Sequence, residues 1–319
     1  MIKKKFFSIG ASLLLLSFVL LGGACSLKKP QAEIKEEKKI NALMMLIEFE
    51  RIEGILQWEK ELDSRGLTAL VEVRDEFLKL HPEVFKRLAD KGYEIAGVYN
   101  QTPFWDMSYE EQYKHLKDAK DLVENITGKK MRVFGAQYFS YDETTLKAAS
   151  DLGIEYVLGR GVSDVEANVY QPLEYSTKII SVSNVDVGEP MGRGSLCDYS
   201  LWARGAGADE FGQILDESIA KKPNDLILVS HAYLGGTRIE WWNEYERALN
   251  SSEIEWRGFS EWLEKQESIS LPNAEIPRNT EVKYGKPIPE KAMEDYDPIP
   301  GLEEEKNHES SFSEELKCF

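Results

Sequence analysis

The chain has 319 residues, with 39 Lys and Arg against 56 Asp and Glu, giving a formal net charge of −17. A hydrophobic fraction of 42% beside 30% charged residues is globular composition, and the negative balance argues against a nucleic-acid partner, whose affinity rests on Lys/Arg clusters. Three Cys exclude a disulfide scaffold, and four widely spaced His exclude a local His/Cys zinc motif.

The chain opens on Lys3-Lys4-Lys5, an uncharged stretch from Phe6 to Leu27, and the small residues Gly22-Gly23-Ala24 directly before Cys25. A basic start, an apolar run and small residues make a secretory signal. Leu21-Gly22-Gly23-Ala24-Cys25 resembles the lipobox of bacterial lipoproteins. That resemblance implies cleavage after residue 24, lipidation of Cys25 and export to a lipid-anchored place on the cell membrane or outer membrane. An uncleaved N-terminal anchor is the alternative. Residues 25–40 then read as a charged tether that holds a domain off the membrane.

Between residues 41 and 271 short apolar runs alternate with amphipathic ones. Ala42 to Phe49 reads as a buried strand and Glu53 to Arg65 as a helix stopped by Gly66. Thr68 to Val73 is the second strand, Pro82 to Lys91 a helix with Pro in its first turn, and Tyr93 to Tyr99 the third strand. Ser108 to Thr127 is a long helix, with Ser108 and Glu111 at capping-box spacing and Gly128 at its end. Met131 to Phe134 and Ile154 to Leu158 are strands around a helix from Asp142 to Asp151. Strands at Ile179 to Val182 and Leu226 to Val229 flank a helix from Asp209 to Lys221, and Gly258 to Lys265 is the last helix. Such alternation predicts α/β architecture, a parallel sheet covered by helices and closed toward a barrel. Residues 272–319 hold six of the 12 Pro and the acidic run Glu303-Glu304-Glu305, and read as an extended or disordered tail packing back at Ile276, Val282, Tyr284 and Ile288.

Several segments resemble one family in order. Leu80 to Ala96 (LHPEVFKRLADKGYEIA) resembles the Pro-Glu-x-x-x-x-Leu-x-x-x-Gly-His-Glu-Ile-Gly segment of the polysaccharide deacetylases, carbohydrate esterase family 4. Glu48-Phe49-Glu50-Arg51 falls on that family's Thr-Phe-Asp-Asp, Phe134 to Leu146 on its Phe-Arg-Pro-Pro-Tyr-Gly segment, Leu226 to His231 on its Leu-Leu-His strand and Trp256 to Leu263 on its closing strand and helix. The resemblance implies a distorted (β/α) barrel of about seven strands over roughly residues 42–265. It also implies an activity: removal of N-acetyl groups by a divalent metal held by one Asp and two His, with a second Asp as base and a late-strand His as acid.

Carried over position by position, the base falls on Glu50 and the acid on His231. The three metal positions fall on Arg51, Val98 and Thr102, and the substrate-contacting Arg on Gly135. A guanidinium and a valine cannot ligate a cation, so no metal or other cofactor is expected. Glu48, Glu50 and Glu94 are an alternative hard-oxygen site. His231 also reads as a hydrogen-bonded structural His, Glu50 as an ion-pair partner of Arg51, His81 as a helix-entry loop residue, His115 as a residue of an exposed helix face near Lys114 and Lys117, and His308 as a tail residue. Tyr99, Phe104, Trp105, Tyr138, Tyr141, Trp202, Tyr233, Trp241 and Trp242 follow strands, where rings would line one rim and stack on sugar. Trp105, Tyr138, Trp202 and Trp242 are the substrate-binding candidates, with ordinary loop packing as the alternative. An exported location also allows a Cys197–Cys318 disulfide.

The expectation is therefore an exported lipoprotein whose deacetylase-like domain has lost its metal ligands and binds an amino-sugar glycan or peptidoglycan. An active hydrolase using Glu50 and His231 is the alternative, and an envelope protein–protein scaffold a third reading. The tether carries +2 and the tail −6, leaving −16 of the mature chain's −20 on residues 41–271. Such a surface repels anionic polymers and favours a neutral or cationic glycan.

Overall fold

The computed structural model describes residues 38–49, 51–99, 101–102, 104–162, 165–188, 192–278 and 291–302. Strands β1 (Ile40–Glu48), β2 (Leu70–Arg74), β3 (Glu94–Tyr99), β4 (Val133–Ala136) and β5 (Tyr156–Arg160) lie in parallel. Helices α1 (Ile52–Ser64), α2 (Asp75–Leu80), α3 (Pro82–Asp90), α4 (Tyr109–Thr127) and α5 (Glu143–Asp151) return the chain between them. Strand β6 (Asn168–Pro172) runs antiparallel to β7 (Lys178–Val182), which pairs in parallel with β5. A hairpin of β8 (Asn184–Asp186) and β9 (Arg193–Ser195), then α6 (Asp198–Trp202) and α7 (Ala208–Ala220), lead to β10 (Asp225–His231) on the free edge of β1. Helices α8 (Ala232–Gly235) and α9 (Ile239–Leu249), strand β11 (Ile254–Arg257) beside β1, helix α10 (Phe259–Glu264) and strand β12 (Ile269–Leu271) on β6 complete the order.

Seven parallel strands, β10-β1-β2-β3-β4-β5-β7, form a continuous curl among the described residues, as expected for an α/β barrel. Its ends are bridged through a third segment. Leu196 N donates to Ser183 O at 2.9 Å, Val229 N donates to Leu196 O at 3.1 Å, and Ile227 N donates to Ser183 Oγ at 3.0 Å. The apolar runs carry no polar alternation because both faces are covered. Ala42, Met44 and Leu46 face the helix layer, whereas Leu43, Met45 and Ile47 face the barrel interior with Leu70, Ala96, Leu158, Ile180 and Val229. Phe259 and Trp262 of α10 plug the interior at the strands' N-terminal ends, where Arg132 lies over the Phe259 ring. The C-terminal ends are thereby left as the mouth.

The helix ends follow the local chemistry. Glu111 N donates to Ser108 Oγ at 3.3 Å and Ser108 N donates to Glu111 Oε2 at 2.9 Å, the reciprocal cap of α4, and Gly128 ends that helix in the left-handed region at φ 68°. Ser108→Ala is expected to lower stability by about 1 kcal/mol, read from the urea midpoint; an unchanged midpoint would mean that water replaces the cap without loss.

Two sequence expectations are corrected. Trp241 and Trp242 lie in helix α9 and not in a loop: both are buried, and the Trp242 ring packs 5.0 Å from Trp58 of α1. His115 is half-buried, its ring 4.2 Å from Tyr99, rather than on an exposed face. The described part of the tail packs back on the domain, at Ile276 as expected and at further positions. Ile276, Tyr296 and Ile299 are buried, Ile239 N donates to Asp297 O at 2.9 Å, and Ile299 N donates to Thr237 O at 2.8 Å. The signal and all but the last residues of the tether, with Cys25, and the tail positions Val282, Tyr284, Ile288, His308 and Cys318, lie outside the described residues. Among the described residues no helix is long and apolar enough to cross a membrane.

Candidate functional site

The strand registers set one row across the inner face near the mouth. Ile47 of β1 is opposite His231 of β10 on one side and Glu72 of β2 on the other, and Glu72 is opposite Ala96 of β3. His231 and Glu72 are therefore two interstrand spacings apart, roughly 10 Å between Cα atoms, with Ile47 between them.

His231 is anchored from behind by Asp198, the fully buried first residue of α6. Asp198 Oδ1 accepts from Tyr199 N at 2.6 Å, from His231 N at 2.8 Å and from the Cys197 thiol at 3.3 Å. Its Oδ2 accepts from Ser230 Oγ at 2.9 Å and Gly235 N at 3.0 Å. One carboxyl thus ties together the start of α6, the end of β10 and the last residue of α8. His231 Nδ1 lies 3.3 Å from Cys197 Sγ and 3.7 Å from Asp198 Oδ1, which fixes the ring and leaves Nε2 as its outward nitrogen. The ring is sandwiched by Tyr199 at 4.6 Å, Tyr233 at 5.7 Å and Phe49 at 6.1 Å. Arg74 braces Phe49, its Nη2 donating to Phe49 O at 2.8 Å.

Glu72 was not singled out by its sequence. It is 2% exposed, and it makes no hydrogen bond or ion pair with any described residue. Burial alone pushes its carboxyl up to about 8, so at neutral pH it is mostly a carboxylic acid. Its head group occupies the space above Gly135 of β4, where any Cβ would run into Glu72 Oε1. Farther round the mouth, Arg160 of β5 is buried and lies 6.0 Å from the Tyr138 ring, and Tyr138 is 6.5 Å from Trp105. Tyr138 and Phe139 adopt φ of 60° and 53°, left-handed backbone that non-glycine residues adopt at a cost and that clusters at functional sites.

Of the substrate-binding candidates, Trp105 and Tyr138 come together at this mouth. Trp202 is 5.6 Å from Tyr199 but is buried beneath the tail, its Nε1 donating to Lys291 O at 2.9 Å. Trp242 lies in the helix layer, away from the rim. Glu50 lies outside the described residues. The acidic trio of Glu48, Glu50 and Glu94 does not assemble. Glu48 is level with Val73 and Gly97, three residues beyond Glu94, which is about 10 Å along the strands, and Glu94 pairs with Arg132 at 3.2 Å.

At the positions that the resemblance assigns to a metal, Val98 is buried and apolar, Thr102 is exposed, and Arg51 is half-buried with its N donating to Glu48 Oε1 at 2.7 Å. These three side chains do not fit a divalent cation. Elsewhere, Cys197, Asp198 and His231 bring three potential ligand atoms within 4.8 Å. Both Asp198 oxygens there already accept hydrogen bonds, and burial pushes the Cys197 thiol well up, so a cation would have to displace five donors and a proton. Cys197 is a free thiol, and Cys318 lies outside the described residues.

Residues 58–157 match the family model described as polysaccharide deacetylase. Among curated proteins no sequence relative is found. Solved structures share the fold at low identity. A Mycobacterium smegmatis protein described as a polysaccharide deacetylase aligns at TM-score 0.55 and 14% identity over 78% of this chain and 99% of its own. A CE4 family pseudoenzyme from Bacillus anthracis aligns at TM-score 0.51 and 14% identity over 74% and 70%. Puue allantoinase aligns at TM-score 0.53 and 12% identity over 72% and 91%, so the same barrel carries different chemistries. The family match covers 100 of the 319 residues, and the shared fold extends over most of the chain.

Proposed function

We propose that this chain is a polysaccharide-deacetylase-type domain, a glycan-binding, non-catalytic member of its fold, exported and held at the membrane by a lipidated Cys25. The observation that carries the reading is the chemistry of the positions that the resemblance assigns to a metal: Arg51 and Val98 offer a cation no ligand and Thr102 only one weak neutral oxygen, while the mouth beside them keeps polar and aromatic groups. His231 stays anchored, and Trp105 and Tyr138 present half-buried rings to the same opening. Such rings stack on the C–H faces of a pyranose and need no metal. A solved structure of the same fold is itself described as a pseudoenzyme, which agrees with this reading. The acidic domain surface matches a neutral or cationic amino-sugar polymer.

One observation favours a second reading, a hydrolase with Glu50 as base and His231 as acid. The outward Nε2 of an anchored His231 is placed as a proton donor would be. Titration calorimetry with tetra-N-acetylchitotetraose, beside an acetate-release assay on the same oligomer, separates the two. The expected result is saturable binding without acetate release, with Trp105→Ala and Tyr138→Ala each weakening affinity about fivefold, the worth of roughly 1 kcal/mol per ring contact. Turnover with stoichiometric metal, lost in His231→Gln, would overturn the non-catalytic reading.

A further inference from the structure

Glu72 is a buried carboxyl on the inner face of the barrel with no partner among the described residues. A buried carboxyl without a partner is unfavourable by kilocalories, and such groups persist where a ligand completes them. Its placement is built by its neighbours. Ala96 beside it is small, and Gly135 two strands away has no side chain, so the carboxyl lies flat against the inner wall. The surrounding surface is apolar, made by Ile47, Ala96, Val98 and Leu158. The charged or titratable groups on this inner face near it are Arg74 on its own strand, Arg160 on β5 and His231 on β10; β1, β3 and β4 present Ile47, Ala96, Val98 and Gly135 there, and Glu94 lies at the far end of β3.

We propose that Glu72 is a specificity-determining residue of the glycan site, its carboxylic O–H donating a hydrogen bond to the N-acyl carbonyl oxygen of a bound amino sugar. This rests on the glycan-binding reading above and adds the group of the sugar that is read. A carboxylic acid is a strong donor, and an amide carbonyl is the strongest neutral acceptor that such a sugar offers. The acyl methyl then meets Ile47, Ala96 and Val98, a wall with no polar atom to leave unpaired. A free amine would bring an ammonium, which a protonated Glu72 between apolar residues does not accept. His231, on the same row across Ile47, faces the opposite side of the same sugar.

The deacetylase resemblance does not supply this role, because Glu72 falls on none of the positions carried over from it. The role follows from register, burial and the gap at Gly135.

The test is calorimetry of the whole domain with tetra-N-acetylchitotetraose and with its fully deacetylated counterpart, for the natural protein, Glu72→Gln and Glu72→Leu, at pH 6.5 and 9.5, with folding checked at each pH by near-ultraviolet circular dichroism. At pH 6.5 the natural protein should prefer the N-acetylated oligomer. Glu72→Leu should lose about tenfold in affinity, whereas Glu72→Gln, whose amide N–H still donates, should stay within about threefold. Raising the pH to 9.5 ionises Glu72 and should weaken the natural protein about tenfold while leaving Glu72→Gln nearly unchanged. Equal binding by Glu72→Leu, superimposable pH profiles for the natural protein and Glu72→Gln, or no preference between the two oligomers would each overturn the proposal and leave the glycan reading standing. No binding of either oligomer by the natural protein would overturn both.

Discussion

Asp198→Ala is expected to lower the stability of the domain by about 3–5 kcal/mol, enough to leave a large part of it unfolded at 37 °C. The carboxyl is fully buried and accepts from three backbone N–H groups, those of Tyr199, His231 and Gly235, and from the Ser230 hydroxyl and the Cys197 thiol. Alanine leaves all five donors without an acceptor in a space too closed for several waters. Each buried donor so stranded costs about 1–3 kcal/mol, and relaxation of α8 returns part of the sum. Asp198→Asn keeps one oxygen and turns an amide toward the remaining donors, so it should lose roughly half as much. Urea unfolding of the three proteins at pH 7 gives the comparison. A loss under about 1 kcal/mol for Asp198→Ala would show that the hydrogen bonds around His231 are held by the strand ends and not by this side chain. The same series addresses the site. His231 owes its fixed ring to this corner, so glycan affinity should fall in step with the loss of Asp198 even in molecules that remain folded.

The barrel was legible because its strands are apolar on both faces and its helices are not. Ile40–Glu48 and Asp225–His231 stand out as apolar runs, and Ser108 and Gly128 mark the ends of α4 by local chemistry. Helix α9 was not legible. Gly235-Gly236 precedes it, and the adjacent Trp241-Trp242 pair looks like a loop cluster, although Trp241, Tyr245 and Ala248 share one buried face at helical spacing. His231 stood out in the sequence because it ends a strand at the C-terminal face of a barrel. Asp198 did not, since what makes it matter is contact with residues more than thirty positions away. Glu72 carried a weaker signal: one acid in the short apolar strand Leu70–Arg74, which in isolation looks like the solvent side of a half-exposed strand. Only the register, which places Ala96 beside it, and the contact that puts Gly135 beneath its carboxyl, show that the acid is inside.

Glu72 should also make the stability of the unliganded domain depend on pH in a way that one substitution removes. Its folded-state carboxyl titrates at about 8 against an ordinary value of 4.5, so between these limits the folded protein binds a proton that the unfolded chain releases. The stability this confers is complete below pH 4.5 and is lost as the pH rises through 8. At 1.36 kcal/mol per unit the full swing is about 5 kcal/mol, an upper figure because water entering the mouth would lower it. Glu94, raised to about 7 by burial in spite of Arg132, adds a smaller trend of the same sign. Glu72→Gln cannot ionise, and it should therefore be the more stable protein at pH 9 by about 3–5 kcal/mol while falling level with or below the natural protein at pH 5. Urea midpoints at pH 5, 7 and 9 give the test, with the difference between the two proteins cancelling Glu94 and every other group they share. If the two profiles run parallel, Glu72 finds a partner or water in solution and is not the isolated acid that its surroundings imply. If they cross, the natural protein carries an acid that weakens it at neutral pH and above, a cost that a site completed by its ligand accounts for.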